Sequence, residues 1–188
     1  MTYDIILCGV GGQGVLSVAA AIASAAAGEG LKVRQSEVHG MAQRGGAVMS
    51  HLRIADGPIP GDLVPRGGAD MILSMEPLEA LRYTAYLKPD GACVTAAAPY
   101  ENIPNYPDPE GVRERVASLP RAQIVDAERL AKEAGNRRGV NMVMVGAAST
   151  NLPLSQEALE TAITGLFSRK GEAVVESNIR AFRAGRAS

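Results

Sequence analysis

A glycine-rich turn near the start of the chain constrains the fold more than any other feature. Residues 9–14 read Gly-Val-Gly-Gly-Gln-Gly and separate an apolar segment, residues 4–9, from an alanine-rich segment, residues 15–27. The first segment has no polar alternation, which is typical of a strand covered on both faces in a parallel sheet. The second has strongly helix-forming composition and is closed by Gly28 and Gly30. A strand, a glycine turn and a helix in this order predict an α/β domain.

The rest of the chain continues this alternation of strands and helices. Further strands are predicted at residues 31–36, 47–54, 71–75, 92–97 and 123–125, and helices at 77–87, 127–134, 141–148, from 155 to about 167, and 171–182. Residues 58–68 and the proline-rich residues 99–109 are expected to be irregular. We therefore expect one domain over residues 1–188, with a Rossmann-like, doubly wound, mainly parallel sheet and flanking helices.

Composition excludes several classes of partner and cofactor. Basic and acidic residues number 19 and 20, so the chain lacks the excess of positive charge that nucleic acids or anionic membranes attract. The first apolar run is broken by glycines after about six residues, far short of a membrane span. Two cysteines and two histidines cannot form a four-thiolate cluster or a zinc site of ordinary spacing. We expect a reduced, cytoplasmic protein with no metal of its own.

The glycine turn matches a phosphate-binding pattern, with two interpretations open. Gly9, Gly11 and Gly14 stand at the spacing of G-x-G-x-x-G, with Gly12 and Gln13 between them, so backbone amides and the helix N-terminus can approach a pyrophosphate. The same glycines would also permit close packing of the strand against the helix. Glu37 stands about where a ribose-binding carboxylate would follow, but the sequence after it is not typical of a dinucleotide site.

A second polar segment, residues 36–46, gathers several functional groups between glycines. Glu37, His39, Gln43 and Arg44 offer a carboxylate, an imidazole, an amide and a guanidinium, followed by Gly45 and Gly46. Such a segment favours ligand binding, and Arg44 can present two parallel donors to a phosphate or carboxylate. The alternative is a connection whose side chains face water.

Three other polar sites carry weaker expectations. His51 lies in a strand-like run and is interpreted as a structural histidine. Arg137 and Arg138 are interpreted as solvated arginines after a helix. Asn141, close to them, is a weak candidate for a ligand site.

The two motifs together resemble the gamma family of 2-oxoacid:ferredoxin oxidoreductases. The resemblance rests on GVGGQGVLSVAAAIA at residues 9–23 and SEVHGMAQRGGAVMSHLRI at residues 36–54. Looser similarity extends over residues 74–77 and 178–185. The free-standing short chain and residues 39–46 resemble the indolepyruvate branch most.

The resemblance implies a subunit of an enzyme that oxidatively decarboxylates a 2-oxoacid, such as an aryl pyruvate, to an acyl-coenzyme A. It implies a large catalytic partner that carries thiamine diphosphate, magnesium and iron–sulfur clusters and passes electrons to ferredoxin. This chain has no thiamine–magnesium motif, because Gly61-Asp62 is followed by Leu63, and no run of cluster cysteines. Both glycine-bearing segments would then face a shared cleft that receives coenzyme A.

Two other functions stay open at this point. The glycine turn is compatible with a free-standing oxidoreductase that binds a nicotinamide or flavin nucleotide. It is also compatible with a non-enzymatic nucleotide-binding adaptor, which would bind phosphate without increasing the turnover of a partner.

Overall fold

A mixed sheet with helices on both faces organises the protein. The computed structural model describes residues 1–39, 45–101 and 103–188, with the backbone alone described at His39. The strands are β1 (Thr2–Val10), β2 (Lys32–His39), β3 (Ala47–Ala55), β4 (Ala69–Ser74), β5 (Leu87–Ala96) and β6 (Ala122–Val125). The helices are α1 (Val15–Gly28), α2 (Pro77–Arg82), α3 (Pro109–Ala117), α4 (Ala127–Glu133), α5 (Val140–Ser149), α6 (Gln156–Phe167) and α7 (Glu172–Arg186).

The strand order is β2-β3-β1-β4-β5-β6. Pairs β1–β4, β4–β5 and β5–β6 are parallel, whereas β3 runs antiparallel to both β1 and β2. Only β3 is reversed among these strands, so the expected α/β fold with a mainly parallel sheet is confirmed. The reversed strand follows from the short connection after β2, which returns the chain along the same edge instead of crossing the sheet.

Two apolar layers cover the sheet. Ile5, Leu7 and Leu73 face the larger layer, which α1, α4, α5, α6 and α7 complete, while Ile6 and Ile72 face a smaller layer under α2 and α3. Helices α5 and α7 cross at close range, because a Cβ on Gly146 would lie 1.9 Å from the carbonyl oxygen of Phe182. A glycine at position 146 is therefore required for this close helix packing.

Three sequence predictions need correction. Helix α2 ends at Arg82, and after a 3-10 turn β5 already begins at Leu87, so residues 88–91 belong to a strand. A register shift beside Ala69 accommodates them, and Lys88 Nζ donates to Asp70 Oδ1 at 2.5 Å. Helix α3 was missed although Asp108 caps it by accepting from Gly111 N–H. Strand β2 continues through Glu37 to His39, beyond its predicted end.

The segment at residues 56–68 is a surface loop, as expected, and is anchored to the sheet at its buried residues Ile59 and Val64. Arg53 forms a buried ion pair with Asp4 and donates to the carbonyls of Gly61 and Leu63, each at 3.1 Å. His51 Nδ1 accepts from Val64 N–H at 3.1 Å, and burial lowers the pKa of its imidazole. The structural interpretation of His51 therefore agrees with its contacts.

Candidate functional site at the carboxyl edge of the sheet

The candidate site lies where the parallel strands β1 and β4 end side by side. After β1 the chain crosses toward β2, and after β4 it crosses toward β5 on the other side of the sheet. This divergence is a topological switch point, the place where open α/β sheets form a crevice for ligands. The side chain of Gln13 joins the two strand ends, since its Oε1 accepts from Val10 N–H at 2.7 Å and its Nε2 donates to Met75 O at 3.2 Å.

The glycines of the turn serve packing and backbone conformation first. A Cβ on Gly9 would stand 2.9 Å from Met75 Cβ, so close approach of the two strand ends requires a glycine there. Gly14 has φ +81°, and a Cβ on it would lie 2.2 Å from Nδ2 of Asn141. Gly12 also has a positive φ and is exposed. The packing interpretation of the motif therefore holds for Gly9 and Gly14.

The two sequence motifs are in direct contact. Gly11 N–H donates to Gly46 O at 2.8 Å, and Gly45 N–H donates to Gly11 O at 3.2 Å. In the same region of the sheet, Gly9 lies opposite Val48, which in turn lies opposite His39. The structure thus brings Gly11, Gly45 and Gly46 together at one corner of the carboxyl edge. Gln43 and Arg44 lie outside the described residues.

Glu37 is placed away from the glycine turn. It lies on β2, opposite Ser50 of β3, and its Oε1 accepts from Gln35 Nε2 at 2.7 Å. In a dinucleotide-binding fold the ribose carboxylate follows the strand next to β1. Here β3 separates β2 from β1, and the N–H groups of Gly11 and Gln13 donate within the chain. The arrangement does not match a standard dinucleotide site.

Asn141 occupies the junction between two helix N-termini. It is the second residue of α5 and donates from Nδ2 to Gly14 O at 3.3 Å, across 127 positions of sequence. Helices α1 and α5 both start at a glycine without a side-chain cap, and neither has an acidic residue in its first turn. The N–H groups of Gly12 and Gly14 donate to no described residue. Two positive helix ends are left open to an anionic group at this point.

A cavity of about 260 Å³ opens beside this junction. Gln13 and Asn141 form one wall, and Tyr100 and Glu128 supply further polar atoms. The remaining lining is apolar and comes from Met75, Ala96, Ala98, Pro99, Ala127 and Val140. A mostly apolar crevice with a few polar groups is the usual form of a small-molecule site. Sequence reasoning missed Met75, residues 98–100 and Glu128, although Met75 is the last residue of a predicted strand and the others closely follow one.

Buried carboxylates lie under the turn that follows β4. Glu76 is 1% exposed, and its carboxylate accepts from Glu79 N–H, from Tyr100 N–H and from the Tyr106 hydroxyl. Glu79 is 3% exposed, and its Oε2 makes no hydrogen bond with a described residue. Burial raises the pKa of Glu79, and the nearby Glu76 raises it further, although Arg82 opposes the shift. Glu76 thereby joins Tyr100 and Tyr106 to the start of α2.

The cysteines do not suit metal binding. Cys8 and Cys93 are buried in the smaller apolar layer, where burial raises the pKa of Cys93 to about 12 and that of Cys8 as well. Buried apolar surroundings disfavour the thiolate that a metal requires. Across residues 1–39, 45–101 and 103–188, no group of three or more His, Cys, Asp or Glu side chains is placed to hold a metal ion. No described helix has the length and apolar character needed to cross a membrane.

Comparison with known protein families shows which family the chain belongs to. Residues 4–188 match the model of the family described as pyruvate ferredoxin/flavodoxin oxidoreductase. The chain belongs to this family. Within the pyruvate ferredoxin/flavodoxin oxidoreductase family, it is 40% identical to the indolepyruvate oxidoreductase subunit IorB of Thermococcus kodakarensis, over 97% of this chain and 94% of that one. It is 37% identical to the IorB subunit of Methanothermobacter thermautotrophicus, over 98% and 96% of the two chains. The resemblance seen in the two motifs is confirmed.

Solved structures of the family share the fold. A 2-oxoglutarate:ferredoxin oxidoreductase from Magnetococcus marinus, with 2-oxoglutarate, coenzyme A and succinyl-CoA bound, matches 99% of this chain with a TM-score of 0.79 and 26% identity. This chain spans 30% of that longer one. The gamma subunit of a keto/oxoacid ferredoxin oxidoreductase from Geobacter sulfurreducens matches with a TM-score of 0.69 and 29% identity, over 97% of this chain and 95% of that one. The chain therefore corresponds to a small subunit of such oxidoreductases.

Proposed function

We propose that the chain is the small subunit of an indolepyruvate-type 2-oxoacid:ferredoxin oxidoreductase and supports oxidative decarboxylation of aryl pyruvates to acyl-coenzyme A. The work is shared with a large catalytic subunit, and ferredoxin is the electron acceptor of the assembled enzyme. The full-length similarity to IorB subunits supports the subunit role. A single domain over residues 1–188 and a cytoplasmic location complete this proposal.

The contact between the two motifs beside the cavity carries the proposal. Gly11 bonds to Gly45 and Gly46, so the glycine turn and the end of the 36–46 segment form one surface at the switch point. The crevice next to this surface has mostly apolar walls and includes Val140 and Asn141 from the uncapped first turn of α5, together with Gln13, which directly precedes the uncapped start of α1. Such a surface suits an elongated substrate with an apolar part and anionic groups, as coenzyme A has. We propose that Gly9, Gly11–Gly14, His39, Gln43–Gly46 and Asn141 surround the shared cleft, whereas Glu37, on the far side of β3, does not belong to it.

The cofactors fit the partner better than this chain. The two cysteines of the sequence are too few for one four-thiolate cluster, and both are buried in the sheet. We therefore assign thiamine diphosphate, its magnesium ion and the iron–sulfur clusters to the large subunit, where they would supply carbanion chemistry and electron transfer. This chain's own residues would line the cleft and receive coenzyme A.

Reconstitution tests the subunit role. The isolated chain is expected to be colourless, to contain neither iron nor thiamine, and to show no indolepyruvate-dependent ferredoxin reduction. Addition of the large subunit should produce activity that depends on coenzyme A. A large subunit that is fully active by itself would refute the proposal, as would oxoacid oxidation by this chain alone.

Arg44 provides a sharper test of the shared cleft. Because an arginine can bind a phosphate or carboxylate with two parallel hydrogen bonds, Arg44→Lys should weaken function although it keeps the charge. Loss of such a contact would cost about 1.5 to 3 kcal/mol, which is roughly a ten- to hundredfold rise in the KM for coenzyme A or the oxoacid. Size-exclusion chromatography of the reconstituted complex separates this effect from failed assembly. Unchanged kinetics with intact assembly would remove Arg44 from the cleft.

A further inference from the structure

The face of the sheet that bears the smaller apolar layer is covered unevenly. Helix α2 packs mainly on β1, β4 and β5, α3 packs on β6, and residues 56–68 are anchored at His51 and Arg53 of β3. Met49 packs against the smaller layer and is only partly buried. Val38 lies directly opposite Met49 on β2, so it belongs to the same face, and it is 50% exposed. Apolar side chains at this end of β2 and β3 therefore remain open to solvent.

Aromatic rings extend this surface toward α2. The Tyr86 ring lies 5.7 Å from that of His51, edge to face, and the Tyr83 ring lies 6.5 Å from that of Tyr86. Both tyrosines pack against the smaller apolar layer and are partly exposed. We call the surface formed by Val38, Met49, Tyr83 and Tyr86 the β3 face. Apolar surface left exposed in one place is typical of an interaction site.

Glu79 lies beside the β3 face and supplies an independent indication of a partner. It precedes Tyr83 by four residues, and burial together with the charge of Glu79 raises the pKa of Tyr83 to about 12. Its Oε1 pairs with Arg82 Nε at 2.9 Å, whereas its Oε2 is buried and makes no hydrogen bond with a described residue. Buried carboxylate oxygens normally have a donor. This oxygen is therefore available to a donor from outside the chain.

Arg82 shows that the Glu79 carboxylate lies close to the surface. The side chain of Arg82 is 47% exposed and that of Glu79 is 4% exposed, although the two form an ion pair. A carboxylate held by one exposed cation leaves the isolated chain with part of the desolvation penalty uncompensated. A second cation beside Arg82 would occupy the free oxygen and remove that penalty.

The position of the β3 face indicates which partner covers it. His39 follows Val38 and lies opposite Val48, which lies opposite Gly9, so the face adjoins the glycine corner. That corner belongs to the cleft that we propose this chain shares with the large subunit. In the Magnetococcus marinus relative, the matching part is 30% of a longer chain, so further protein is joined to it there. A partner that suits both the apolar surface and the free oxygen brings a basic side chain flanked by apolar ones.

We propose that the β3 face docks the large catalytic subunit, which places a basic side chain on Glu79 Oε2 and apolar side chains against Val38, Met49 and Tyr83. This docking role rests on the subunit role proposed above. Arg82 stays on Oε1, so the carboxylate joins the two chains through one cation from each. A buried charge pair within apolar surroundings fixes the orientation of an interface as well as its strength.

Calorimetric titration of the full chain with the purified large subunit tests the apolar part of the face. Val38→Asp places a charge on an exposed apolar position and should weaken binding by about tenfold or more. Leu166→Asp is the matched control, because Leu166 is 40% exposed on α6, which packs in the larger layer on the other face of the sheet. Circular dichroism checks both folds. Equal affinities of the two variants would overturn the docking face.

Glu79→Gln tests the ion pair, because it removes the charge and keeps the shape. Binding should weaken by about tenfold or more, as for loss of a charge-assisted contact. Burial raises the pKa of Glu79, so the relative stability of Glu79→Gln should increase toward neutral pH, and weaker binding would not come from misfolding. Thermal unfolding of the same samples measures that stability. Glu133→Gln is the control, since it removes a carboxylate from the exposed pair with Arg129.

The natural chain separates failure of the docking face from failure of the subunit role. If the natural chain neither binds nor activates the large subunit, the subunit role fails and the docking face fails with it. If the natural chain binds and activates, but Glu79→Gln binds as tightly as Glu133→Gln, only the docking face is refuted. Weaker binding by Val38→Asp and Glu79→Gln, with both controls unchanged, is the expected result.

Discussion

The two turns that follow β1 and β4 end at the same sheet edge but treat their helix N-termini in opposite ways. The turn after β1 leads into α1 through Gly14, with no side-chain cap and no acidic residue in the first helical turn. The turn after β4 leads into α2 through Glu76, whose carboxylate accepts from Glu79 N–H at 2.8 Å. One helix end stays open to a ligand, whereas the other is satisfied by the chain itself.

The difference in helix capping gives the two turns different structural roles. Buried acceptors at Glu76 hold Tyr100 and Tyr106, and Tyr100 forms part of the crevice wall. Gln13, which directly precedes the uncapped start of α1, lines the same crevice. The carboxylate of Glu76 therefore orders the crevice wall at Tyr100, while the start of α1 keeps its positive helix end uncapped.

Removal of the buried acceptor should have the largest effect. Glu76→Ala leaves Glu79 N–H, Tyr100 N–H and the Tyr106 hydroxyl without their partner, and we expect a loss of about 2 to 4 kcal/mol in the free energy of unfolding. Urea unfolding measures it. Glu76→Gln keeps one acceptor oxygen and should lose clearly less. Equal stability of Glu76→Ala and the natural chain would mean that this turn does not depend on its carboxylate.

In the turn after β1, substitution should reduce stability most at Gly14. Gly14→Ala places a Cβ 2.2 Å from Asn141 Nδ2 at a residue with φ +81°, so the amide must move and the backbone is strained. We expect a cost of about 1 to 3 kcal/mol together with weaker coenzyme A dependence of the reconstituted enzyme. Gly12→Ala is the matched control, since its φ is also positive but no atom lies within 4 Å of an added Cβ. If both variants behave alike, backbone strain rather than the contact with Asn141 is responsible.

The sequence predicted the turn after β1, which leaves α1 uncapped (the open turn), better than the turn after β4, where Glu76 caps α2 (the closed turn). Glycine spacing after an apolar strand predicts the β1 turn because the pattern is local. Asn141 was only a weak candidate, since its contact with Gly14 spans the whole fold. Around the closed turn, helix 77–87 was predicted too long and α3 was missed, although Asp108 and Pro109 marked its start. Pairing of Leu87 with Ala69 starts β5 early, so residues 88–91, predicted to separate a helix from a strand, belong to the strand itself.

Substitution of Gln13, whose side chain joins the two turns, should have a smaller effect on stability. Gln13→Ala removes the bonds to Val10 N–H and Met75 O and leaves a strand-end donor unsatisfied. We expect about 1 to 2 kcal/mol of lost stability, measured by thermal unfolding. Gln123→Ala is the control, because its amide contacts only Ser188 O at the exposed chain end. A Gln13 variant no less stable than the Gln123 variant would show that the strand ends are held together without this side chain.

The smallest expected effect is a pH-dependent change in stability at Glu79, the second buried carboxylate of the turn after β4. Burial and Glu76 raise the pKa of Glu79 in the folded chain, so the folded state binds this proton more tightly than the unfolded state does. The associated stability is fully present below the unfolded pKa and is lost as pH rises through the folded pKa. Because glutamine cannot ionise, the melting temperature of Glu79→Gln relative to the natural chain should rise between about pH 4 and pH 8.

Glu160 supplies a control of opposite sign for this experiment. Hydrogen bonds from Arg183 lower the pKa of Glu160, so its stabilising contribution is present above the unfolded pKa and is lost as pH falls through the folded pKa. The relative melting temperature of Glu160→Gln should therefore fall as pH rises, while that of Glu79→Gln rises. Both changes should correspond to about 1 kcal/mol or less, because Arg82 offsets part of the burial at Glu79 and Arg183 is solvent-exposed. Parallel pH profiles for the two variants would show that burial does not control Glu79, and the closed turn would then resemble an ordinary surface cap.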